Sequence, residues 1–334
     1  MQRLKKHLYL CRMKVSIIVP IYGVEQYIGE FAASLFSQTY QDLEYIFVDD
    51  CTPDGSVARL QQELLRHPSR HGQVHIVRNE TNRGLGATRQ AGLNAATGDF
   101  VVYADSDDVL TTDAVELLVK AQEATGADIV DGGYCRLLPD GATGDTVLPF
   151  HGTKEAMLSL MLAQNTIAHH VWGRLIRRSL HTDHNVCFVE GINMAEDYCI
   201  MPRLLFFATR TYIDNVIYKY RVNTTGTFFG WLNTSNIGSY LGANRVVCAF
   251  MRDHDRRHDY TFAVELGMLN AIHRALGLTT MGEIRRHCPY SPTLPLFRLC
   301  RLLLCHRATR PLLRAAYLVI KRIYVRSLQA SQCQ

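Results

Sequence analysis

From residue 15 onward, short apolar runs alternate with longer stretches whose apolar positions recur at helical spacing. Residues 15–20 (VSIIVP) read as a buried strand, and residues 25–38 follow with Tyr27, Ile28, Phe31, Leu35 and Phe36 on one helical face. Residues 44–48 are a second apolar run, ending in Asp49 and Asp50. Thr52-Pro53 has the form of an N-cap with proline at the first helical position, which predicts a helix to about His67. A strand at 74–77, a helix over 86–97 stopped by Gly98, and a strand at 100–104 ending in Asp105-Ser106-Asp107-Asp108 follow. A strand at 127–135 leads through a turn at Pro139-Asp140-Gly141 into a run at 147–150. This alternation predicts an α/β fold on a mainly parallel, doubly wound sheet.

After Gly226 the alternation stops. Helical spacing runs over 239–252 and 262–276, residues 289–295 read as a linker, and 296–306 and 311–327 are two further helical stretches. In the last of these, Leu313, Tyr317, Ile320 and Tyr324 fall on one side. The expected organisation is a basic leader at 1–13, an α/β domain at 14–225 and a helical extension at 226–334. No run reaches the roughly 18 uninterrupted apolar residues of a membrane span. The apolar stretch near the start is too short for a signal-peptide core, so the expected location is the cytoplasm.

Of the 334 residues, 47% are apolar and 20% charged, which excludes a disordered tail or a small disulfide scaffold. The net charge of +5 hides a polarised chain. Residues 1–14 carry five basic and no acidic side chains, residues 284–334 carry ten and none, and residues 15–283 hold 21 basic against 31 acidic. An acidic body argues against a nucleic-acid groove, and basic ends favour an anionic surface. The last helix, amphipathic and without acids, predicts peripheral attachment to an anionic membrane through Leu313, Tyr317, Ile320 and Tyr324, with packing on the body as the alternative. Ten scattered cysteines without a C-x-x-C pair suggest neither a zinc site nor a redox motif. His254 and His258 stand four apart, yet Asp253, Arg256 and Arg257 around them mark a solvated helix face rather than a metal site.

Ligands of doubly wound sheets sit outside the carboxyl ends of the strands, and both acidic clusters lie there. Asp49, Asp50, Asp105, Asp107 and Asp108 would repel one another unless a cation joined them. A hard divalent ion with oxygen ligands, Mn²⁺ or Mg²⁺, would also admit an anionic diphosphate. Taken singly, Asp49 and Asp108 read as caps for the following helices. Gly84-Leu85-Gly86 lacks the third glycine of a dinucleotide fingerprint.

Val19-Pro20-Ile21-Tyr22-Gly23, Ser37-Gln38-Thr39, Val48-Asp49-Asp50, Asn82-Arg83-Gly84 with Arg89, Gly98-Asp99-Phe100 and Asp105-Ser106-Asp107-Asp108 come in the order and spacing of family-two glycosyltransferases. Across about residues 14–225 the sequence resembles that family, which implies a GT-A type, Rossmann-like sheet, here with a helical C-terminal extension. The resemblance implies an inverting, metal-dependent enzyme moving a sugar from a nucleotide-diphosphate donor, a UDP-sugar, to a hydroxyl of a glycan or lipid-linked glycan. Such an enzyme would serve polysaccharide synthesis at the cytoplasmic membrane face. It further implies that Asp50 contacts the base, that Pro20 and Tyr22 shape the base pocket, and that Asp105 and Asp107 meet ribose and metal. Asp49, Asn82, Gly84, Arg89 and Ser106 complete the implied donor site. Gly23, the turn Cys51-Thr52-Pro53 and Gln90 depart from the family pattern beside this pocket and bear on the base.

Inversion by direct displacement requires a carboxylate beside the acceptor oxygen. Ala195-Glu196-Asp197-Tyr198 opens a helical stretch, and the resemblance assigns the base to Asp197, with Glu196 as the fallback. A helix N-terminus would depress the Asp197 pKa. His169-His170-Val171-Trp172 resembles an acceptor-side segment. Adjacent histidines on an extended chain point to opposite sides, so one at most, His170, is expected in the site beside Trp172. Two other readings are a sugar-1-phosphate nucleotidyltransferase, whose glycine-rich, basic N-terminal loop is missing from residues 19–30, and an inactive scaffold, which would be expected to have lost an acidic position.

Overall fold

The computed structural model describes residues 13–164, 169–223, 232–304 and 307–330, so the expected leader at 1–13 lies, save Met13, outside the described residues. Nine strands form one mixed sheet: β1 (Val15–Ile21), β2 (Leu43–Asp49), β3 (Val74–Arg78), β4 (Phe100–Tyr103), β5 (Val109–Leu110), β6 (Ile129–Leu137), β7 (Thr143–Val147), β8 (Arg174–Arg177) and β9 (Arg210–Arg221). Around it lie α1 (Glu25–Phe36), α2 (Ser56–Leu64), α3 (Leu85–Ala95), α4 (Ala114–Thr125), α5 (Lys154–Leu162), α6 (Ser179–Asp183) and α7 (Glu196–Phe207). The chain continues through α8 (Ile237–His254), α9 (Thr261–Ala275), α10 (Met281–His287), α11 (Pro295–Leu304) and α12 (Arg310–Ala330).

The sheet runs β3-β2-β1-β4-β8-β6-β9-β5, with β7 paired to β6. β3, β2, β1 and β4 are mutually parallel, as the βαβ alternation predicts, while β8 enters antiparallel between β4 and β6. β1 and β2 are buried at all seven positions each, because helices cover both sheet faces. Strand alternation divides the core. Val15, Ile17 and Val19 join α1 and α4 on one face, and Ile18, Ile46 and Val101 join α5, α7, α8 and α9 on the other. The second cluster runs on without a break into α11 and α12.

Several boundaries differ from the sequence pattern. The helix expected from Pro53 starts at Ser56, because Asp54 closes a turn by accepting hydrogen bonds from Thr52 and Ser56. The run at 147–150 is not a strand; pairing with β6 ends at Val147, which lies opposite Tyr134. α10, which the sequence reading missed, is capped by Thr280, whose Oγ1 accepts from the Glu283 N–H. The stripe Leu313, Tyr317, Ile320 and Tyr324, expected to enter a membrane, instead packs on the body: Leu313 and Tyr317 are 8% exposed, and the Tyr324 ring lies 5.0 Å from that of Phe262. Neither Asp49 nor Asp108 caps a helix. Asp49 accepts from the Thr52 N–H and pairs with Arg78, and buried Asp108 accepts from the Tyr218 hydroxyl and the Arg221 N–H.

Candidate active site

A cavity of about 860 Å³ opens beyond the carboxyl ends of β1, β2 and β4. Pro20 and Tyr22 follow from β1, Asp50 from β2, and Asp105, Ser106 and Asp107 from β4, and all line it. Asp50 and Asp49 point to opposite sides of the strand, as the period of two requires. Only Asp50 therefore lines the cavity, and Asp49, expected at the donor site, does not. Asp50 takes hydrogen bonds from Asn79 Nδ2, Arg83 N and Gly84 N, tying the segment that carries Asn82 and Gly84 to the strand end. Gly84 has φ +81 and would drive a Cβ into the Asn193 side chain, so only glycine fits there. Ser106 Oγ donates to the Pro20 carbonyl at 2.7 Å, locking the β4 loop to β1.

Arg89, 1% exposed on α3, holds the centre of the site. Its Nη2 donates to Asp105 at 2.6 Å, and its Nη1 donates to Glu196 at 3.0 Å and to Asp197 at 2.8 Å. Both acids lie in the first turn of α7. That helix begins abruptly because Ala195 takes a left-handed conformation, φ +63, at a cost of about 1–2 kcal/mol for a residue with a side chain. One buried cation against three half-buried carboxylates leaves an excess of negative charge. Burial and the Asp197 charge push Glu196 up to about 8. Burial also raises Asp197 from its ordinary value, with Arg89 opposing, so the expected depression by the helix dipole is outweighed. Burial and Asp105 push Asp107 up to about 6, although Asn223 donates to its Oδ2 at 2.8 Å.

These oxygens fit a hard divalent cation only as a shared ligand set. Among the described residues no group of three or more His, Cys, Asp or Glu side chains forms a metal cage. Asp105 is engaged by Arg89 and Asp107 by Asn223, yet the repulsion that raises Asp107 is what a cation bridging to a diphosphate would relieve.

The opposite wall is aromatic. Trp172 stacks on His170 at 3.6 Å, Tyr218 at 4.5 Å and Tyr220 at 5.4 Å, and the Tyr134 ring meets its edge at 4.9 Å. His170 Nδ1 hydrogen-bonds the Trp172 carbonyl oxygen. Both His169 and His170 line the cavity, contrary to the expectation that only one would. His169 is held near 4, and hence neutral, by burial and Arg174, and its Nδ1 has no partner among the described residues. Beneath this wall Asp131 accepts from Arg174 and Arg210, and Arg174 also donates to the His170 carbonyl, fixing the segment.

Every expected site residue except Asp49 lines this one cavity. Sequence reasoning missed Tyr134, Arg136, Gln164, Asn193, Tyr220, Arg221, Asn223, Tyr240 and Arg274, which also line it. Arg221 and Asn223 carried no local signal, because they meet Asp107 across more than a hundred residues of chain. His254 is exposed near the end of α8, where it stacks on Phe250 and hydrogen-bonds its carbonyl oxygen.

The family model described as glycosyl transferase family 2 matches residues 16–183. The chain is 33% identical over 218 residues to the uncharacterized glycosyltransferase EpsJ of Bacillus subtilis, covering 63% of this chain and 61% of that protein. It is 28% identical over 220 residues to the cholesterol galactosyltransferase of Borreliella burgdorferi, covering 62% and 60%. The chain thus spans about three fifths of the length of these two relatives. Among solved structures, S. aureus TarS 1-349 in complex with UDP superposes with a TM-score of 0.61 at 19% identity, over 87% of this chain and 78% of that one. The mannosyltransferase PcManGT of Pyrobaculum calidifontis, in complex with GDP-Man and Mn²⁺, gives 0.51 at 16% identity, over 93% and 86%. The fold is the GT-A type expected from the sequence.

Proposed function

The chain belongs to glycosyl transferase family 2, and from that premise we propose that it is an inverting enzyme taking a sugar from a UDP-sugar to a hydroxyl of a glycan or lipid-linked glycan. The observation that carries the reading is Arg89: one guanidinium grips Asp105, on the donor side of the cavity, and the Glu196-Asp197 pair, on the acceptor side. Donor and base are thereby set in fixed register.

The two acids divide their roles by environment. Glu196, pushed to about 8, holds its proton at neutral pH, leaving Asp197 as the ionised partner of Arg89. Asp197 takes the proton of the acceptor hydroxyl as that oxygen bonds to the anomeric carbon; the bond from this carbon to the diphosphate oxygen breaks on the opposite face, and the nucleotide diphosphate leaves. Asp50, Pro20 and Tyr22, which line the cavity, would take the base and ribose end, and Asp105 and Asp107 would hold Mn²⁺ or Mg²⁺ beside the diphosphate. The ion supplies charge neutralisation for the leaving group. Trp172, Tyr220 and His170, stacked on one another along the cavity, would give the acceptor an aromatic wall. UDP is the nucleotide with which TarS was solved, and a glycan acceptor would suit a role in surface polysaccharide synthesis. Meeting a lipid-linked acceptor would place the protein peripherally at the cytoplasmic face of the membrane.

Calorimetric titration of UDP tests the donor half. Affinity should rise at least tenfold with Mn²⁺ or Mg²⁺ over EDTA, and Asp107→Ala should abolish that gain. Equal affinity with and without metal overturns the assignment of Asp105 and Asp107.

A further inference from the structure

The basic C-terminal helix has two apolar faces, and only one is covered. At about 100° per residue, Leu313, Tyr317, Ile320 and Tyr324 share one side of α12, and that side packs against the body. On the other side Leu312 is 74% exposed, Val319 55% and Ile323 64%, and these three fall within a narrow arc. Arg322 and Arg326 run along the edge of the arc, exposed, and neither they nor Arg314 makes any ion pair among the described residues. α11 repeats the arrangement: Phe297, Cys300 and Leu304 face in, while Leu296, Leu299 and Leu302 are 48%, 54% and 66% exposed.

Two outward apolar rows set among arginines, on a stretch without one acidic residue from 284 to 334, select the occupant by charge. A second copy meeting the same face across a two-fold axis would bring arginine against arginine. An anionic bilayer neutralises the arginines and takes the leucines into its interface. We propose that the outward faces of α11 and α12 form the surface by which this protein lies on an anionic lipid membrane. The inference rests on the peripheral placement proposed above and is independent of the transfer chemistry. It also fits the site. Lys321, on α12, donates to the carbonyl of Gln164 at 3.0 Å, and Gln164 lines the acceptor end of the cavity, so the lipid surface would lie within about one helix diameter, ~10–12 Å, of that end.

Sedimentation of the full chain with phosphatidylcholine vesicles, with and without phosphatidylglycerol, tests it. Binding should be at least about tenfold stronger to the anionic vesicles and should weaken with salt. The triple variant L312S/V319S/I323S should lose at least about tenfold in partitioning. The charge reversal R322E/R326E should lose about 25-fold or more, at about fivefold per basic side chain, even though it leaves every apolar contact in place. Thermal melting checks that both variants remain folded, and vesicle binding with no detectable sugar transfer would separate this inference from the proposed reaction. Equal partitioning of the folded variants and the parent, or no preference for anionic lipid, overturns it. Self-association of the parent that both variants abolish, without vesicle binding, overturns it in favour of a second copy.

Discussion

Arg89→Met isolates the cation on which the candidate site depends. The side chain is 1% exposed and binds Asp105, Glu196 and Asp197 at 2.6, 3.0 and 2.8 Å. With charge centres about 4 Å apart, each attraction is about 4 kcal/mol at an effective dielectric near 20, before desolvation and carboxylate repulsion are subtracted. Methionine keeps the apolar stem and strands the acids, and removing one partner of a buried pair costs about 3–5 kcal/mol. Protonation offers the acids an escape, so the cost depends on pH. Glu196 already has a folded pKa near 8, above its unfolded value, so its contribution is fully present below about pH 4.5 and is lost as pH rises through 8. Without Arg89 the Asp197 pKa rises further, and the variant's stability should fall with pH more steeply than the parent's, by up to about 1.4 kcal/mol per unit for each added proton. Urea denaturation at pH 5, 7 and 8.5 should show a gap of about 1–2 kcal/mol at the lowest pH, widening to about 3–5 kcal/mol at the highest. A gap below about 1 kcal/mol at pH 8.5, or one that does not change with pH, refutes the electrostatic account.

Two further outcomes follow from the same geometry. Asp197→Asn keeps the hydrogen-bonding shape but cannot take a proton, so transfer should fall about 10²- to 10⁴-fold while UDP affinity measured by calorimetry is nearly unchanged; full activity would move the base elsewhere. Glu44 lies in β2 opposite Ser16, where burial pushes its pKa up but hydrogen bonds from Lys14, Ser16 and Thr97 hold it at about 2. Its contribution is present above the unfolded pKa and is lost as pH falls toward 2, so Glu44→Gln should cost about 3 kcal/mol at pH 7 and almost nothing at pH 2 in denaturant titrations.

Much of the proposed donor half was legible as one cavity because a parallel sheet places its crevice at strand ends. The motifs ending in Pro20, Asp50 and Asp105 come from β1, β2 and β4, which lie side by side, so residues 85 positions apart become neighbours through register alone. Charge balance was less legible. A helix N-terminus suggested a depressed Asp197, but the dipole is worth about 1 kcal/mol at most on a surface, whereas desolvation, with the Asp105 charge adding to it, acts on the whole charge. The far side of the cavity was legible only in His170 and Trp172. Its other members, Tyr134, Tyr220, Tyr240 and Arg274, come from β6, β9, α8 and α9, and no local pattern tells a cavity-lining tyrosine from a core one.

α12 shows where periodicity stops being informative. Leu313, Tyr317, Ile320 and Tyr324 form a clean amphipathic stripe, and a stripe records that something apolar covers it without recording what. The less regular set, Leu312, Val319 and Ile323, is the one left outside, because the inward arc is fixed by the spacing of α5 and α9 beneath it. A surface helix of a compact protein needs only one apolar face. The second face, where Leu312, Val319 and Ile323 are exposed beside arginines that make no ion pair among the described residues, costs solubility unless an apolar surface of opposite charge receives it. The proposed membrane surface therefore rests on other residues than those first assigned to it: the burial of one stripe on protein removes the obvious candidate and leaves Arg322 and Arg326 with no ion pair among the described residues.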